Sequence, residues 1–513
     1  MTRLLLPAVL VWTLTTPAAL AGPGRVSPPP AQAVELPFGL ATRADVDAYD
    51  AARADLLALR LDAADAKLGT LSEGSAEAAA YGHLHASLFR ALFRGEEGDY
   101  DRFFDRLDRL YEELDRAPAS RWTALMAADG ALFDAMVQGK RRSYAKAALA
   151  ARRASSRYDA LLAAHPDFPE AYRGAGLLHV AAGSVPSGYG WLVRLLGFDG
   201  TVGQGLDELE RAAASAQYGA EEAAVIFALT DLTLNEHRRE GLSRLKRAYA
   251  SSASSPLLGY LLGFGLLADR QGEEAERVLA TAVRRLDAPG VFPLPFPTFY
   301  YAEALFTQNE FAAAAAAFER FLDQATGEGL VARAHLQAGL AYEMLGDAPA
   351  AELHYSAVRS DRDFDSDEAA LREARMRLER PMNPTERTLL RAQNAYDGGR
   401  NAEAVRLLQP VFTNADLPER YRAEAAYRSG RALHGAGDLR DALRHYRWAV
   451  SHPGGDGQRW GPWSQFYAGQ VLEAQGDALG ARRAYRRALD WPTPYDYYRG
   501  LEQRAKTALE RLG

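Results

Sequence analysis

The 513-residue sequence contains no cysteine. That removes disulfides, zinc–thiolate centres, thiol nucleophiles and lipid-modified cysteine anchors together. Isoleucine occurs once, at Ile226, whereas alanine makes up roughly a fifth of the residues. Alanine favours helix and β-branched residues favour strand, so the composition predicts a helical protein. Lysine is scarce as well, confined to Lys67, Lys140, Lys146, Lys246 and Lys506. Arginine therefore supplies nearly all of the 60 basic side chains, set against 67 acidic ones, for a net charge of -7. Nucleic acid is not expected as the main partner, because a polyanion demands a basic surface. Hydrophobic residues at 48% and charged residues at 25% are globular proportions.

Beyond the first 21 residues no window holds about eighteen consecutive apolar side chains, so no integral membrane segment is expected there. Residues 1–21 place Arg3 ahead of the apolar stretch Leu4–Leu14 and end in Ala19-Leu20-Ala21, the pattern of a cleaved secretory signal. Pro7, Pro17, Thr13, Thr15 and Thr16 make the same stretch a poor membrane-spanning helix. Residues 22–43 form a Pro-rich tether. The arginine-heavy usage suits a GC-rich bacterial genome, and the expected compartment is the periplasm.

From residue 44 onward the pattern is helix after helix, broken by short Gly, Asp or Pro turns. Segments 44–72, 75–94, 98–115, 120–138 and 140–164 read as N-terminal helical hairpins over 44–165. Within residues 429–453 and 468–492, Gly430, Gly437, Ala442, Tyr446, Ala449 and Pro453 recur as Gly469, Gly476, Ala481, Tyr485, Ala488 and Pro492. Gly339, Tyr342, Gly346, Ala351 and Tyr355 make a third copy. Ala302, Phe311, Ala314 and Phe318 make a fourth, and Ala392, Gly399 and Ala404 a fifth. Weaker copies centre on Gly263 and Leu229.

Each copy reads as two antiparallel helices. A small residue mid-way along the first helix and another early in the second allow close approach, and an aromatic one turn later fills space between neighbouring units. Gly-Asp supplies the turn and the N-cap, and proline ends the second helix. This spacing resembles the tetratricopeptide repeat family over residues 220–490. The resemblance implies an all-α fold, a right-handed α–α superhelix of antiparallel helix pairs. The intervals run from 34 to 39 residues, except for a wider gap between Gly339 and Ala392 that extended helices or inserted turns must absorb. A central block spans 166–286 with an apolar insertion at 184–204, and the regular array spans 296–490. The Pro-rich segment 287–299 breaks the array, and residues 491–513 form a capping helix through Leu501, Ala505, Ala508, Leu509 and Leu512. Residues 165–285 loosely resemble the tetratricopeptide repeat protein 39 family, through the run LLGF-DG and the later Gly-Leu at 205–206.

Signatures of chemistry are missing. There is no Glu-Ser dipeptide for a lytic transglycosylase, no His-Glu-x-x-His and no Gly-x-Ser-x-Gly elbow. Gly263-Phe-Gly265 satisfies a loose dinucleotide string but lies inside a repeat helix with no strand before it. Asp361, Asp363, Asp365 and Asp367 alternate, yet the glycine and glutamate of a calcium loop are replaced by Ser366 and Arg372; helix initiation is the simpler role. His83 and His85 point to different helix faces. No catalytic, cofactor or metal residue is assigned.

In such a repeat the first helices line the concave surface, at six and three residues before the central small residue and one and four after it. The candidate partner-binding residues are Tyr260 and Phe264, then Phe299 and Phe306, then Tyr427 and Arg431, then Trp463, Phe466 and Gln470. Aromatics interleaved with donors suit a peptide. The alternative is that these rings pack on each other or on an inserted plug, for which residues 191–198 are suited. The expected function is an exported, non-catalytic scaffold or adaptor that holds a protein or peptide in the cell envelope. Its rivals are an envelope enzyme with a dispersed active site, betrayed by convergent carboxylates in a deep pocket, and a membrane-peripheral protein using residues 189–198 as an apolar foot.

Overall fold

A computed structural model describes residues 36–184, 200–234, 238–252, 254–325, 330–359, 365–455, 457–495 and 497–512. The signal-like segment and residues 185–199, which hold most of the apolar insertion, lie outside these. Among the described residues the chain forms twenty-four α-helices, two short 3-10 turns and no strand. The fold is all-α, of tetratricopeptide-like helix pairs.

The helices run, in chain order, α1 (Arg43–Leu57), α2 (Leu61–Leu68), α3 (Ala76–Phe93), α4 (Glu97–Arg116), α5 (Arg121–Lys140) and α6 (Tyr144–Ala164). Next come α7 (Pro169–Gly183), α8 (Val202–Ser215), α9 (Ala220–Leu234), α10 (Arg238–Ser251), α11 (Pro256–Ala268) and α12 (Gly272–Leu286). Then follow α13 (Phe296–Thr307), α14 (Phe311–Gln324), α15 (Val331–Leu345), α16 (Ala348–Ala357), α17 (Asp365–Glu379) and α18 (Pro384–Asp397). The chain ends with α19 (Asn401–Thr413), α20 (Glu419–Gly435), α21 (Leu439–Ser451), α22 (Trp460–Ala474), α23 (Ala478–Leu489) and α24 (Tyr498–Arg511). Two compact units result. The first takes the described residues within 1–269, 277–300 and 324–328, and the second those within 270–276, 301–323 and 329–513. Within each, consecutive helices pack as neighbours, α5 on α6 and α7 on α8 in the first, α20 on α21 and α22 on α23 in the second.

The turns follow the chemistry of the sequence. Gly346, Gly437 and Gly476 take φ values of 85°, 85° and 81°, which glycine adopts without a Cβ clash. The aspartate after each caps the next helix. Asp347, Asp438 and Asp477 accept from the backbone N–H groups of Ala350, Asp441 and Gly480 at 3.1, 3.1 and 2.8 Å.

The central glycines explain the close helix approach. A Cβ on Gly339, Gly430 or Gly469 would lie 2.5, 2.6 or 2.6 Å from the ring of Tyr355, Tyr446 or Tyr485. Each tyrosine thus seats on the glycine of its own hairpin. It also reaches the next unit, as Tyr446 does by stacking on Tyr467 at 5.9 Å between centroids.

Three details depart from expectation. The segment 44–72 is two helices rather than one, because Leu59 takes φ 57° and its carbonyl accepts from Phe292 N–H at 2.7 Å. The break at 287–299 is shorter than expected, with α13 beginning at Phe296; Pro297 falls in its first turn, where a missing N–H costs nothing. The wide interval between Gly339 and Ala392 is filled by α17, an additional helix that packs on both α15 and α16. At the C-terminus α24 covers the last pair as a cap, with Leu501, Ala505 and Ala508 buried beside Tyr485.

Gly469→Val is expected to cost about 1–3 kcal/mol, because the added carbons meet a buried ring with nowhere to move. Urea unfolding of Gly469→Val, Tyr485→Ala and the double variant checks this. The two losses should sum to more than the loss in the double variant, and strict additivity would show that the glycine does not accommodate the ring.

Candidate functional site

Convergent carboxylates do occur, in the first unit, but they are enclosed. Asp129 of α5, fully buried, accepts hydrogen bonds from the hydroxyls of Tyr81 on α3 and Tyr158 on α6. Arg173 of α7 donates to Asp129 at 2.7 Å and to Glu222 of α9. Five helices are therefore joined by one buried network around this guanidinium. The cavity alongside, lined by Tyr49, Tyr81, His85 and Arg173 among others, measures about 20 Å³. That is room for roughly one water molecule and for no substrate. Burial, with the charges of Arg173 and Arg53 added, pushes the His85 imidazole down to about 3. His85 lies against the Tyr81 carbonyl at 3.0 Å, whereas His83 pairs with Asp65 at 2.8 Å, so the two histidines serve different neighbours. Asp365 opens α17, while Asp361 and Asp363 lie outside the described residues. Among the described residues no group of three or more His, Asp or Glu is placed to hold a metal ion.

The residues expected to line a groove divide sharply. Tyr260, Phe299, Phe306 and Phe466 are 0–3% exposed, so the expectation that they face a groove is corrected. Tyr260 packs on Tyr300, Phe306 on Phe318, and Phe466 on Tyr485, each burying area that two approaching helices would otherwise leave open. Phe264 is half-buried against Tyr300 at 5.4 Å. Arg431 is held within the protein. It donates to Tyr427 at 3.2 Å and to Tyr396 at 2.8 Å and lies 4.0 Å over the ring of Tyr467. Tyr427 packs on Trp460, and Trp463 on Tyr467. Gln470 is half-buried. The structure thus brings Tyr427, Arg431, Trp463 and Phe466 together as one aromatic cluster of the second unit rather than as an open wall.

An open concavity of the second unit lies next to that cluster. It is a cleft of about 700 Å³ between α17, α18, α20 and the start of α22. Met376, Met382, Leu389 and Leu390 give it an apolar floor. Its rim carries six arginines, at 372, 377, 380, 420, 428 and 459, and three glutamates, at 373, 386 and 424. The described lining is therefore positive by three in a chain of net charge -7.

Two of the glutamates, Glu386 and Glu424, are committed. Burial opposes the charge of Glu386, but hydrogen bonds from Arg380 at 2.7 Å and from Asn383 N–H at 3.1 Å, with Arg377 nearby, hold its carboxyl below the ordinary value. Glu424 accepts from Arg428 at 2.6 and 2.8 Å, and Glu373 lies 3.8 Å from Arg377. Arg420 and Arg459 are different, because neither has a carboxylate partner among the described residues. Arg420 lies over Tyr421 at 4.7 Å, and Arg459 lies over Trp460 at 4.8 Å and Tyr497 at 4.6 Å.

Of the positions derived from Gly430, only Glu424 lines this cleft. The missed residues had a signal. The same register applied to Ala392 marks Glu386, Leu389 and Gln393, all of which line it, and Tyr396, which holds Arg431. The contribution of α17 had no signal beyond the irregular repeat interval, because that helix carries no repeat pattern.

No family model matches the chain, and no curated protein matches it in sequence. Among solved structures, the human IFIT1 dimer with m7Gppp-AAAA is 14% identical over 93% of this chain and 96% of that one, at a TM-score of 0.31. A Rap protein complexed with competence and sporulation factor is 10% identical over 78% of this chain and 100% of that one, at a TM-score of 0.36. Likeness of this degree carries no argument about what this chain binds, and the fold assignment rests on the helix pairs themselves.

Two outcomes follow for the buried network. Arg173→Met leaves Asp129 and Glu222 facing each other without the guanidinium that bridges them, and should cost the first unit about 3–5 kcal/mol in urea unfolding. His85 is held neutral when folded, whereas the unfolded imidazole titrates near 6.5. As pH falls below that value the unfolded chain gains a proton that the folded chain refuses, so stability present above about 6.5 is lost toward acid. His85→Phe should flatten that loss, read by hydrogen–deuterium exchange of α3 at about pH 7 and about pH 5.

Proposed function

We propose that this chain is an exported, non-catalytic scaffold that binds a protein or peptide partner, with the cleft of the second unit as the binding site. The observation that carries this reading is the cleft itself. It combines an apolar floor, aromatic edges and guanidinium donors in a concavity of about 700 Å³, which is the make-up of a recognition site. The carboxylates that a dispersed catalytic site would need are enclosed at Asp129 and Glu222 beside a void too small for a substrate. Among the described residues of the open cleft, Glu386 and Glu424 are hydrogen-bonded to arginines rather than free to take a proton. This supports binding rather than turnover.

Export rests on residues 1–21 alone, and a periplasmic location is part of the proposal. No helix among the described residues is long and apolar enough to cross a membrane. The membrane-peripheral alternative invokes residues 189–198, which lie outside the described residues. The likeness of residues 165–285 to the tetratricopeptide repeat protein 39 family concerns architecture and adds no partner.

A photo-reactive residue placed at Gln458, on the cleft, should crosslink one discrete envelope protein in cells, whereas the same residue at the exposed Leu479 should not. Equal crosslinking from both positions would remove the cleft as the site. N-terminal sequencing of the same material should find a chain starting at Gly22, and a chain that retains Met1 would contradict cleavage.

A further inference from the structure

The rim of the cleft holds guanidinium groups in an arrangement that selects a class of ligand. Arg459 lies over the rings of both Trp460 and Tyr497, and Arg428 lies over the Trp460 ring at 5.5 Å. Stacking occupies the faces of a guanidinium and leaves the N–H edge available. Edge donors in a fixed plane match a carboxylate in two parallel hydrogen bonds. Arg428 already holds a carboxylate by such edge donation, its Nε and Nη2 both donating to one oxygen of Glu424, Oε1, at 2.8 and 2.6 Å. Arg459 lies over the same ring without a carboxylate partner among the described residues, and Arg420, which also lacks one there, lies over Tyr421 and donates through Nη2 to its hydroxyl at 3.0 Å. Among the described residues the cleft thus contains carboxylate–guanidinium pairs at Glu424 and Glu386 and two guanidinium groups, Arg420 and Arg459, without a carboxylate.

We propose that the cleft recognises an extended acidic peptide, whose side-chain carboxylates bind the N–H edges of Arg420 and Arg459 while its apolar side chains rest on Met376 and Leu390. This inference rests on the reading of the cleft as a peptide site and adds the chemical class of the peptide. Charge complementarity selects the occupant, since the described lining is positive by three while the chain is net negative. The three glutamates among the arginines argue against a polyphosphate backbone, which would meet them at every register and has no use for an apolar floor. A peptide that alternates acidic and apolar residues avoids the glutamates and uses both surfaces.

Fluorescence anisotropy with the purified chain tests the proposal, using capped, C-terminally amidated dodecapeptides that alternate Leu with Glu, Gln or Lys, and an oligothymidylate. The Glu peptide should bind at least about tenfold tighter than the Gln peptide, and its affinity should fall with added salt. Arg420→Gln and Arg459→Gln should each lose about tenfold for the Glu peptide and leave the Gln peptide unchanged, with thermal unfolding unaltered. Tyr497→Leu, at a residue 58% exposed, should weaken the Glu peptide without loss of fold, because it removes one of the two rings that Arg459 lies over. Equal binding of the Glu and Gln peptides, both abolished by Met376→Glu, would overturn the acidic class and leave the peptide site standing. Preference for the Lys peptide or for oligothymidylate would overturn the inference, and failure of every peptide would overturn the peptide site with it.

Discussion

Everything in the second unit depends on how closely two helices of a hairpin approach, and that distance is set by a tyrosine ring lying on a glycine. With Tyr446 on Gly430 and Tyr485 on Gly469, there is no room for even one carbon more. The ring then spans the hairpin and touches the next pair, so one contact fixes both the approach within a unit and the seating of its neighbour. The consequence for function is that the aromatics are consumed. A chain that uses tyrosine and phenylalanine to space its helices draws those rings inward, and Phe299, Phe306 and Phe466 follow that rule.

Departures from the repeat are therefore where a ligand can be met. In a regular array each pair must satisfy its neighbours, and the residues at equivalent positions are committed to that task. The helix α17 carries no central glycine and no tyrosine partner. It packs on α15 and α16 and turns Arg372, Met376 and Arg377 toward the cleft. Its exit is anchored at Glu343, which accepts from Met382 N–H and from Tyr355 hydroxyl at 2.6 Å. The inserted helix is thus tied by the same tyrosine that spaces the preceding hairpin, so the arginine wall is positioned by the repeat although it is not part of it.

The helix pairs were legible in the sequence because their causes are local. Gly476 followed by Asp477 is a turn and a cap within two residues, and Gly469 with Tyr485 is a steric pair at a fixed spacing. The cleft was legible only in part. Glu386, Leu389 and Gln393 obey the register of Ala392 and could be read from it, whereas Arg420, Arg459 and Tyr497 belong to helix ends and connections that no repeat register covers. The buried network of the first unit was not legible at all. Asp129, Arg173 and Glu222 lie 44 and 49 residues apart, and nothing in their spacing distinguishes them from solvated charges.

The choice of arginine over lysine gives the cleft its character. A lysine ammonium is a compact, strongly hydrated point charge that would stay in water above Trp460. A guanidinium is weakly hydrated and planar, so it lies on the ring and keeps its donors in one orientation before any ligand arrives. With only five lysines in the chain, the positive charge of the cleft is of the oriented kind throughout. The surrounding chain is acidic, and its field opposes an acidic ligand at a distance. Within a Debye length of about 8 Å at physiological salt the local excess of arginine outweighs that field. Recognition of the acidic peptide proposed for this cleft would be short-ranged by construction, selecting those chains whose carboxylates reach the guanidinium edges.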